Sequence, residues 1–363
     1  MKILVDAMGG DNSPDEIIKG CVDTIPFIES DIILIGNEEI INNKVKEFYN
    51  KDSISDVSSR ITVKNATEVI VNGESPTSAI KNKKDSSLVV GFNMLKNNEA
   101  DAFVSAGSTG AFMAGGLLMV GRIKGIDRPA LCSVLPSYDG KGFLLLDCGA
   151  NTNCRPINME QFATMGSIYM NKVMHIESPS VGLLNIGAEE GKGNELMKDS
   201  FVRLSENKII NFYGNIEGRD IFSGDARVVV ADGFTGNVTL KTIEGMGSMI
   251  GKMLKEELGR NAWRKFLAML TLPALKGFKK RMDYSEYGGA LLLGIKKPMI
   301  KCHGTANAKI VKYTLIQAEN FAKNKVVETI EDEIKKLSEA EKNKNIENTE
   351  TAEKAVPVIQ TEK

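Results

Sequence analysis

Histidine is nearly missing from this chain, with two among 363 residues, and tryptophan occurs once. Cysteine is scarce and odd in number: Cys21, Cys132, Cys148, Cys154 and Cys302 are irregularly spaced and form no C-x-x-C pair. So few histidines and no paired cysteines argue against a structural zinc site, and no metal is expected. Charge of one sign is missing too. Lys plus Arg is 46 and Asp plus Glu is 47, a formal net charge of −1, so no global field draws the chain to nucleic acid. No apolar run reaches the length of a membrane span. The opening MKILVDAMGG meets Asp6 too early for a signal peptide, and the expected setting is a reducing cytoplasm with free thiols.

Nucleotide signatures are absent as well. The nearest stretch to a phosphate-binding P-loop, Gly187 to Gly193, is one residue short and lacks the hydroxyl, and no G-x-G-x-x-G occurs. No cofactor is expected.

What is present is apolar sequence, 42% of the chain, in short runs alternating with helical patterns. Ten segments read as strands: Lys2–Ala7, Asp31–Gly36, Ile61–Val63, Ala102–Ser105, Leu131–Leu135, Gly142–Asp147, Val181–Ile186, Asn211–Tyr213, Val228–Ala231 and Met299–Cys302. Runs such as IILI and FLLL suit strands buried on both faces. The pattern predicts an α/β fold, a mostly parallel sheet with helices on both faces. Asp139-Gly140 between two of the runs reads as a hairpin turn, so one antiparallel connection is expected. Residues 1–335 are expected to form the catalytic domain. From Lys336 to Lys363 the composition turns to Glu, Lys, Asn and Thr, which predicts a disordered tail.

One local theme recurs. Strand after strand runs into a small, glycine-rich polar turn: 6–12, 105–111, 147–151, 185–194, 231–237 and 302–307. Ligands of open α/β sheets sit at the carboxyl ends of strands, so all six turns are expected along one edge. The turn 105–111, followed by a helix over Phe112–Gly121, suits a small phosphate, with Ser105, Ser108 and Thr109 as hydroxyls beside free N–H groups. A plain helix cap is the competing reading.

The blocks MKILVDAMGGDNSP, KKDSS, VSAGSTGA, RPAL, LLDCGAN, NIGAEEGKGN, EGRDIFSGDARVVVADGFTGNV and His303-Gly304 closely resemble the bacterial fatty acyl-acyl-carrier-protein:phosphate acyltransferase family, in order, from Met1 to about Lys325. The resemblance implies conversion of acyl carrier protein thioester and inorganic phosphate into acyl phosphate, ahead of glycerol-3-phosphate acylation in phospholipid synthesis. It also implies a fold similar to isocitrate and isopropylmalate dehydrogenases and to phosphotransacetylase, and a homodimer. Thr152-Asn153 depart from the family pattern, so no role carries over to position 153.

Given that reaction, residue types suggest roles. Phosphate is already an anion, so the site must gather charge and stabilise a tetrahedral oxyanion rather than make a base. Lys192 suits charge neutralisation. Asn185, Asn194 and Asn237 suit neutral donors, and His303 suits protonation of the leaving thiolate, against a plain turn-satisfying histidine. Asp6, Gly9 and Gly10, then Ser105, Gly107, Ser108, Thr109 and Gly110, then Asp147, Asn151, Asp232 and Gly233 complete the expected phosphate-binding edge; the carboxylates among them suit fixing loops and orienting donors. Catalysis through Cys148 or Cys302 is the rival mechanism.

Arg260–Arg281 carries seven basic residues and no acidic one. Trp263, Phe266, Leu267 and Leu270 fall at helical spacing, and Pro273 opens a second short helix. A protruding amphipathic hairpin over about 255–285, with Lys279 and Lys280 on its basic side, suits peripheral contact with anionic lipid and hand-off of acyl phosphate to a membrane glycerol-3-phosphate acyltransferase. Contact with acyl carrier protein and a dimer interface are the alternatives. A coenzyme A-dependent phosphotransacylase and a noncatalytic binding module are the competing functions.

Overall fold

The computed structural model describes residues 1–48, 57–282 and 284–339. All ten apolar segments are strands, within a residue or two at most ends: β1 (Lys2–Asp6), β2 (Asp31–Gly36), β3 (Ile61–Asn65), β4 (Ala102–Ser105), β5 (Ala130–Leu135), β6 (Phe143–Leu146), β7 (Ser180–Asn185), β8 (Asn211–Glu217, four residues longer than expected), β9 (Val228–Val230) and β11 (Met299–Lys301). An eleventh, β10 (Ala290–Leu293), was not expected. They form one sheet in the order β3-β2-β1-β4-β11-β10-β5-β6-β9-β7-β8.

Alternation puts successive side chains on opposite faces, and each face has its own cover. Ile3 and Val5 pack with Ile18, Val311 and Leu315, from helices Asp15–Thr24 and Ala308–Lys323. Leu4 points the other way, to Phe92 and Phe112 of helices Ser87–Lys96 and Thr109–Gly115. Phe92, Phe103 and Phe112 meet at ring-centroid distances of 5.3 to 5.9 Å, and truncating any one removes about 3–5 kcal/mol of packing.

The pairing is parallel except at β11–β10, β10–β5 and β5–β6. The expected β5–β6 hairpin is there, closed by Arg227, which reaches Asp139, Ser137 and the Gly142 carbonyl. Three reversals in succession have a large effect. Strands β1, β4 and β11 run one way; β6, β9 and β7 run the other. The six glycine-rich turns therefore do not line one edge. Turns 6–12, 105–111 and 302–307 lie at one edge of the sheet, and turns 147–151, 185–194 and 231–237 at the opposite one.

Two further expectations need correction. The helix after the 105–111 turn starts at Thr109, three residues early, and continues as a π-type segment Gly116–Val120. Residues 326–339 are helical, so the stretch from 336 begins as helix; 340–363 lie outside the described residues.

A polar row crosses the first edge. Register places Asp6 beside Ser105 and Ser105 beside Lys301, so all three share a face, and each is at least nine-tenths buried. Ser105 Oγ donates to Asp6 Oδ2 at 2.7 Å, and the Lys301 ammonium donates to the Cys302 carbonyl. Burial lowers Lys301 to about 8, with Cys302, Asp6 and Asp11 pulling the other way. Below about pH 8 folded and unfolded chains both carry the charge. From there to the ordinary value of 10.5 the folded chain sheds its proton first, the unfolded chain binds more protons, and stability rises with pH. Wild type is therefore expected to gain stability relative to Lys301→Met across that window in urea unfolding. A difference that stays flat with pH contradicts a buried, titrating ammonium.

Candidate active site

At the β1 edge the turns close on one another. Asp6 Oδ1 accepts from the Met8 N–H at 3.2 Å, and Ser105 Oγ accepts from the Gly107 N–H at 2.9 Å. A Cβ on Gly9 would stand 2.2 Å from Asp6 Oδ2 and 2.7 Å from the Gly107 nitrogen, so only glycine fits. Gly10 lies against Ala106 and the Gly304 carbonyl, which also accepts from the Asp11 N–H at 2.8 Å. Ser108 Oγ caps its helix through the Ala111 N–H, as the plainer reading has it, while Thr109 and Gly110 are exposed. His303 is exposed, and its Nδ1 lies 2.8 Å from Thr305 Oγ1. Burial raises the Asp6 carboxyl, and its hydrogen bonds oppose that shift.

The β6 edge is organised by one buried carboxylate. Asp147 Oδ1 accepts from the N–H groups of Leu131, Gly149 and Ala150; Oδ2 accepts from the Asn151 N–H at 2.7 Å and its Nδ2 at 2.9 Å. Burial raises its pKa and these bonds hold it down. Asn151 is buried too, with Nδ2 also donating to the Pro129 carbonyl, and its own carbonyl takes the Gly233 N–H. Asp147 and Asn151 therefore shape the turn from within. Gly149, at φ 125°, lets the exposed Asn237 side chain approach the turn.

Asn185 and Asn194 also serve the backbone. Asn185 Nδ2 donates to the Lys192 carbonyl at 3.1 Å and its Oδ1 accepts from the Ile186 N–H. Asn194 Oδ1 caps helix Glu195–Glu206 through Met197. Asp232 caps helix Gly233–Gly259 through Phe234 and Thr235. Lys192 is different. Its side chain is half exposed, its ammonium only 4.0 Å from Glu189, and it is free to meet an anion.

Between these segments lies a cavity of about 470 Å³. Thr152 and Asn153 from the segment after β6, Asn194, Asp232 and Thr235 contribute to its wall. Thr152, Asn153 and Thr235 were not among the expected site residues, and neither was Lys301. Lys192, Asn237 and the cavity lie at one edge of the sheet, and His303 lies at the other. The thiols of Cys148 and Cys302 are buried, and burial pushes both pKa values up; Cys154, half-buried at the cavity, is pushed up to about 11.

Helices Ala262–Leu270 and Leu272–Met282 follow the long helix Gly233–Gly259. Ala262–Leu270 buries no side chain: Trp263, Phe266, Leu267 and Leu270 are all exposed, and Trp263 stacks on Phe266 at 5.8 Å. The side chains of Lys279 and Lys280 lie outside the described residues.

Residues 1–329 match the model of the family described as fatty acid synthesis protein. A phosphate acyltransferase of Thermoanaerobacter pseudethanolicus is 50% identical over 93% of this chain and 99% of its own length. One of Thermoanaerobacterium thermosaccharolyticum is 49% identical over 93% and 98%. Among solved structures, a phosphotransacetylase from Streptococcus pyogenes aligns over 89% of this chain and 94% of that one with a TM-score of 0.56; at 16% identity this shows the expected phosphotransacetylase-like fold. With residues 1–329 matched by its model and relatives about half identical along nearly their whole length, this chain belongs to the fatty acid synthesis protein family.

Proposed function

We propose that this acyltransferase moves a fatty acyl group from acyl carrier protein onto inorganic phosphate, by direct attack of phosphate on the thioester. The carrying observation is the contrast at the β6 edge between an available Lys192 and thiols pushed away from ionisation. An anion receptor is at hand there; a thiolate nucleophile is not.

In this reading Lys192 neutralises charge on phosphate and on the oxyanion, and Asn237 supplies a neutral donor. The balance closes without His303. Monohydrogen phosphate attacks the thioester carbon, the C–S bond breaks, and the proton on phosphate leaves with the thiolate, giving acyl phosphate and free thiol. His303, at the other edge and engaged with Thr305, is not required as the acid. The turns at the β1 edge serve the scaffold in this reading, tied internally through Asp6, Ser105 and Gly107.

The exposed apolar residues fit two further contacts. Trp263, Phe266, Leu267 and Leu270, in a stretch with seven basic residues and no acidic one, suit an anionic lipid surface. None of the helices among the described residues is long and apolar enough to cross a membrane, so the contact is peripheral. Such docking would pass an insoluble acyl phosphate to a membrane glycerol-3-phosphate acyltransferase. Met246, Met249, Ile250 and Met253 form an exposed row at helical spacing on Gly233–Gly259, which suits a second copy and hence a homodimer.

Phosphate-dependent release of carrier-protein thiol tests the reaction. Lys192→Ala is expected to lower kcat/KM by about a hundredfold or more, while Cys148→Ala, Cys154→Ala and Cys302→Ala keep their activity; loss in a folded cysteine variant would favour an acyl-enzyme. Faster turnover of acetyl-coenzyme A in a parallel assay would favour the smaller thioester. Liposome flotation is expected to fail for Trp263→Glu/Leu267→Glu, and equal flotation defeats the lipid reading. Sedimentation should find Met249→Glu/Met253→Glu monomeric where wild type is dimeric; unchanged mass counts against that interface.

A further inference from the structure

We propose that the cavity beside Lys192 seats the pantetheine arm of the thioester donor through neutral hydrogen bonds, leaving phosphate on Lys192 outside it. This rests on the acyl-transfer reading above and names which part of the substrate the cavity takes.

The chemistry of the wall decides the class of occupant. No lysine, arginine or histidine lines the cavity, and its one charged group is the Asp232 carboxylate. A phosphate placed there would meet a like charge in the wall, while Arg128, which acts on Cys154, stands outside the lining. The helix starts at the wall are closed as well: Asp232 Oδ1 takes the N–H groups of Phe234 and Thr235, Asp232 Oδ2 takes the Thr235 hydroxyl, and Asn194 Oδ1 takes the Met197 N–H. A fatty acyl chain fits no better, because amides and hydroxyls make up most of the remaining lining and would lose their water without replacement.

A neutral chain of amides does fit. Thr152 and Asn153 are exposed, and among the described residues their side chains make no hydrogen bond. They offer a hydroxyl and a carboxamide that a secondary amide pairs with in either direction. Leu196 and Phe234, the latter 66% exposed, give the same cavity two apolar patches. The pantetheine arm carries two secondary amides, a hydroxyl and a gem-dimethyl group, the same mixture. A volume of about 470 Å³ lies in the range of small-molecule pockets. Lys192 stands two residues before Asn194 in the same turn, and the assignment sets the thioester end of the arm toward its ammonium.

Carrier protein and coenzyme A share this arm and differ beyond its phosphate end, so the experiment compares four donors of one acyl chain: acyl carrier protein, coenzyme A, pantetheine and N-acetylcysteamine, the last keeping one amide and no pantoyl portion. Steady-state kinetics of Asn153→Leu and Phe234→Ser are expected to show a KM about tenfold higher for the three donors that carry the whole arm. Their KM for phosphate and their rate with the N-acetylcysteamine thioester should match wild type. Equal loss on the long and short donors, or no loss on any, overturns the assignment. A loss confined to the carrier-protein donor also overturns it, because that result places the two residues on the protein contact instead. Failure of the parent reading looks different: wild type itself then releases no thiol in response to phosphate.

Discussion

Strand β10 runs against both of its neighbours, and the β5–β6 hairpin turns the chain again two strands further on. That seam divides one sheet into two parallel blocks of opposite direction. The rule that ligands gather at the carboxyl ends of parallel strands then holds for each block separately. Each glycine-rich turn continues directly from its strand end, so it stays at the edge where that strand finishes. Which polar residues meet is thus decided at the β5–β6 hairpin: β10, reversed against both neighbours, leaves β11 and β5 running the same way, and the hairpin alone turns the second block over.

Both edges use a buried aspartate as the organiser, with different results. Asp6 is held by Ser105 and Met8, and the glycines around it let three turns close until little space remains. Asp147 gathers the N–H groups of its own turn and so holds Gly149 to Asn151 in place, but the segment that follows, from Thr152, leaves an open cavity against two helix starts. Burial raises the pKa of both carboxyls and hydrogen bonds oppose the shift in both. Neither has acceptor capacity turned outward to a phosphate, and a carboxylate there would repel it. The difference between scaffold and site lies in whether the organised turn leaves room.

Much of the fold was legible because strands buried on both faces are written as unbroken apolar runs, and IILI at Ile32–Ile35 admits little else. β10 escaped because its four residues follow a glycine pair and pair with β5, far off in the chain. The β5–β6 reversal itself was legible in Asp139-Gly140, but its consequence was not, because no local pattern records which distant strands join the sheet on either side of it. Within the site, the turns were legible and the duties of their side chains were not. Asn185 and Asn194 looked like ligand donors by residue type, yet their oxygens accept from backbone N–H groups, which sequence alone cannot distinguish. Lys301 was hidden by its place at the end of an apolar strand. Thr152 and Asn153 were set aside as a departure from a family pattern, and only the fold puts them on a cavity wall.

One loosely held cation in the turn suits the chemistry better than a tight cluster would. Phosphate and the tetrahedral intermediate gain from a positive charge, but so does the acyl phosphate product, and binding that does not distinguish them slows release without raising the rate. Lys192 is held loosely, half exposed and 4.0 Å from Glu189, an ion pair of little strength in water. Its attraction therefore grows mainly when a substrate displaces solvent around it. A neutral seat for the long donor completes that division, since amide hydrogen bonds to a flexible arm add affinity for the thioester and for the thiol it becomes, and nothing for acyl phosphate. The arm, not the anion, then carries the binding that positions the reaction, and the charge is left to respond to the transition state.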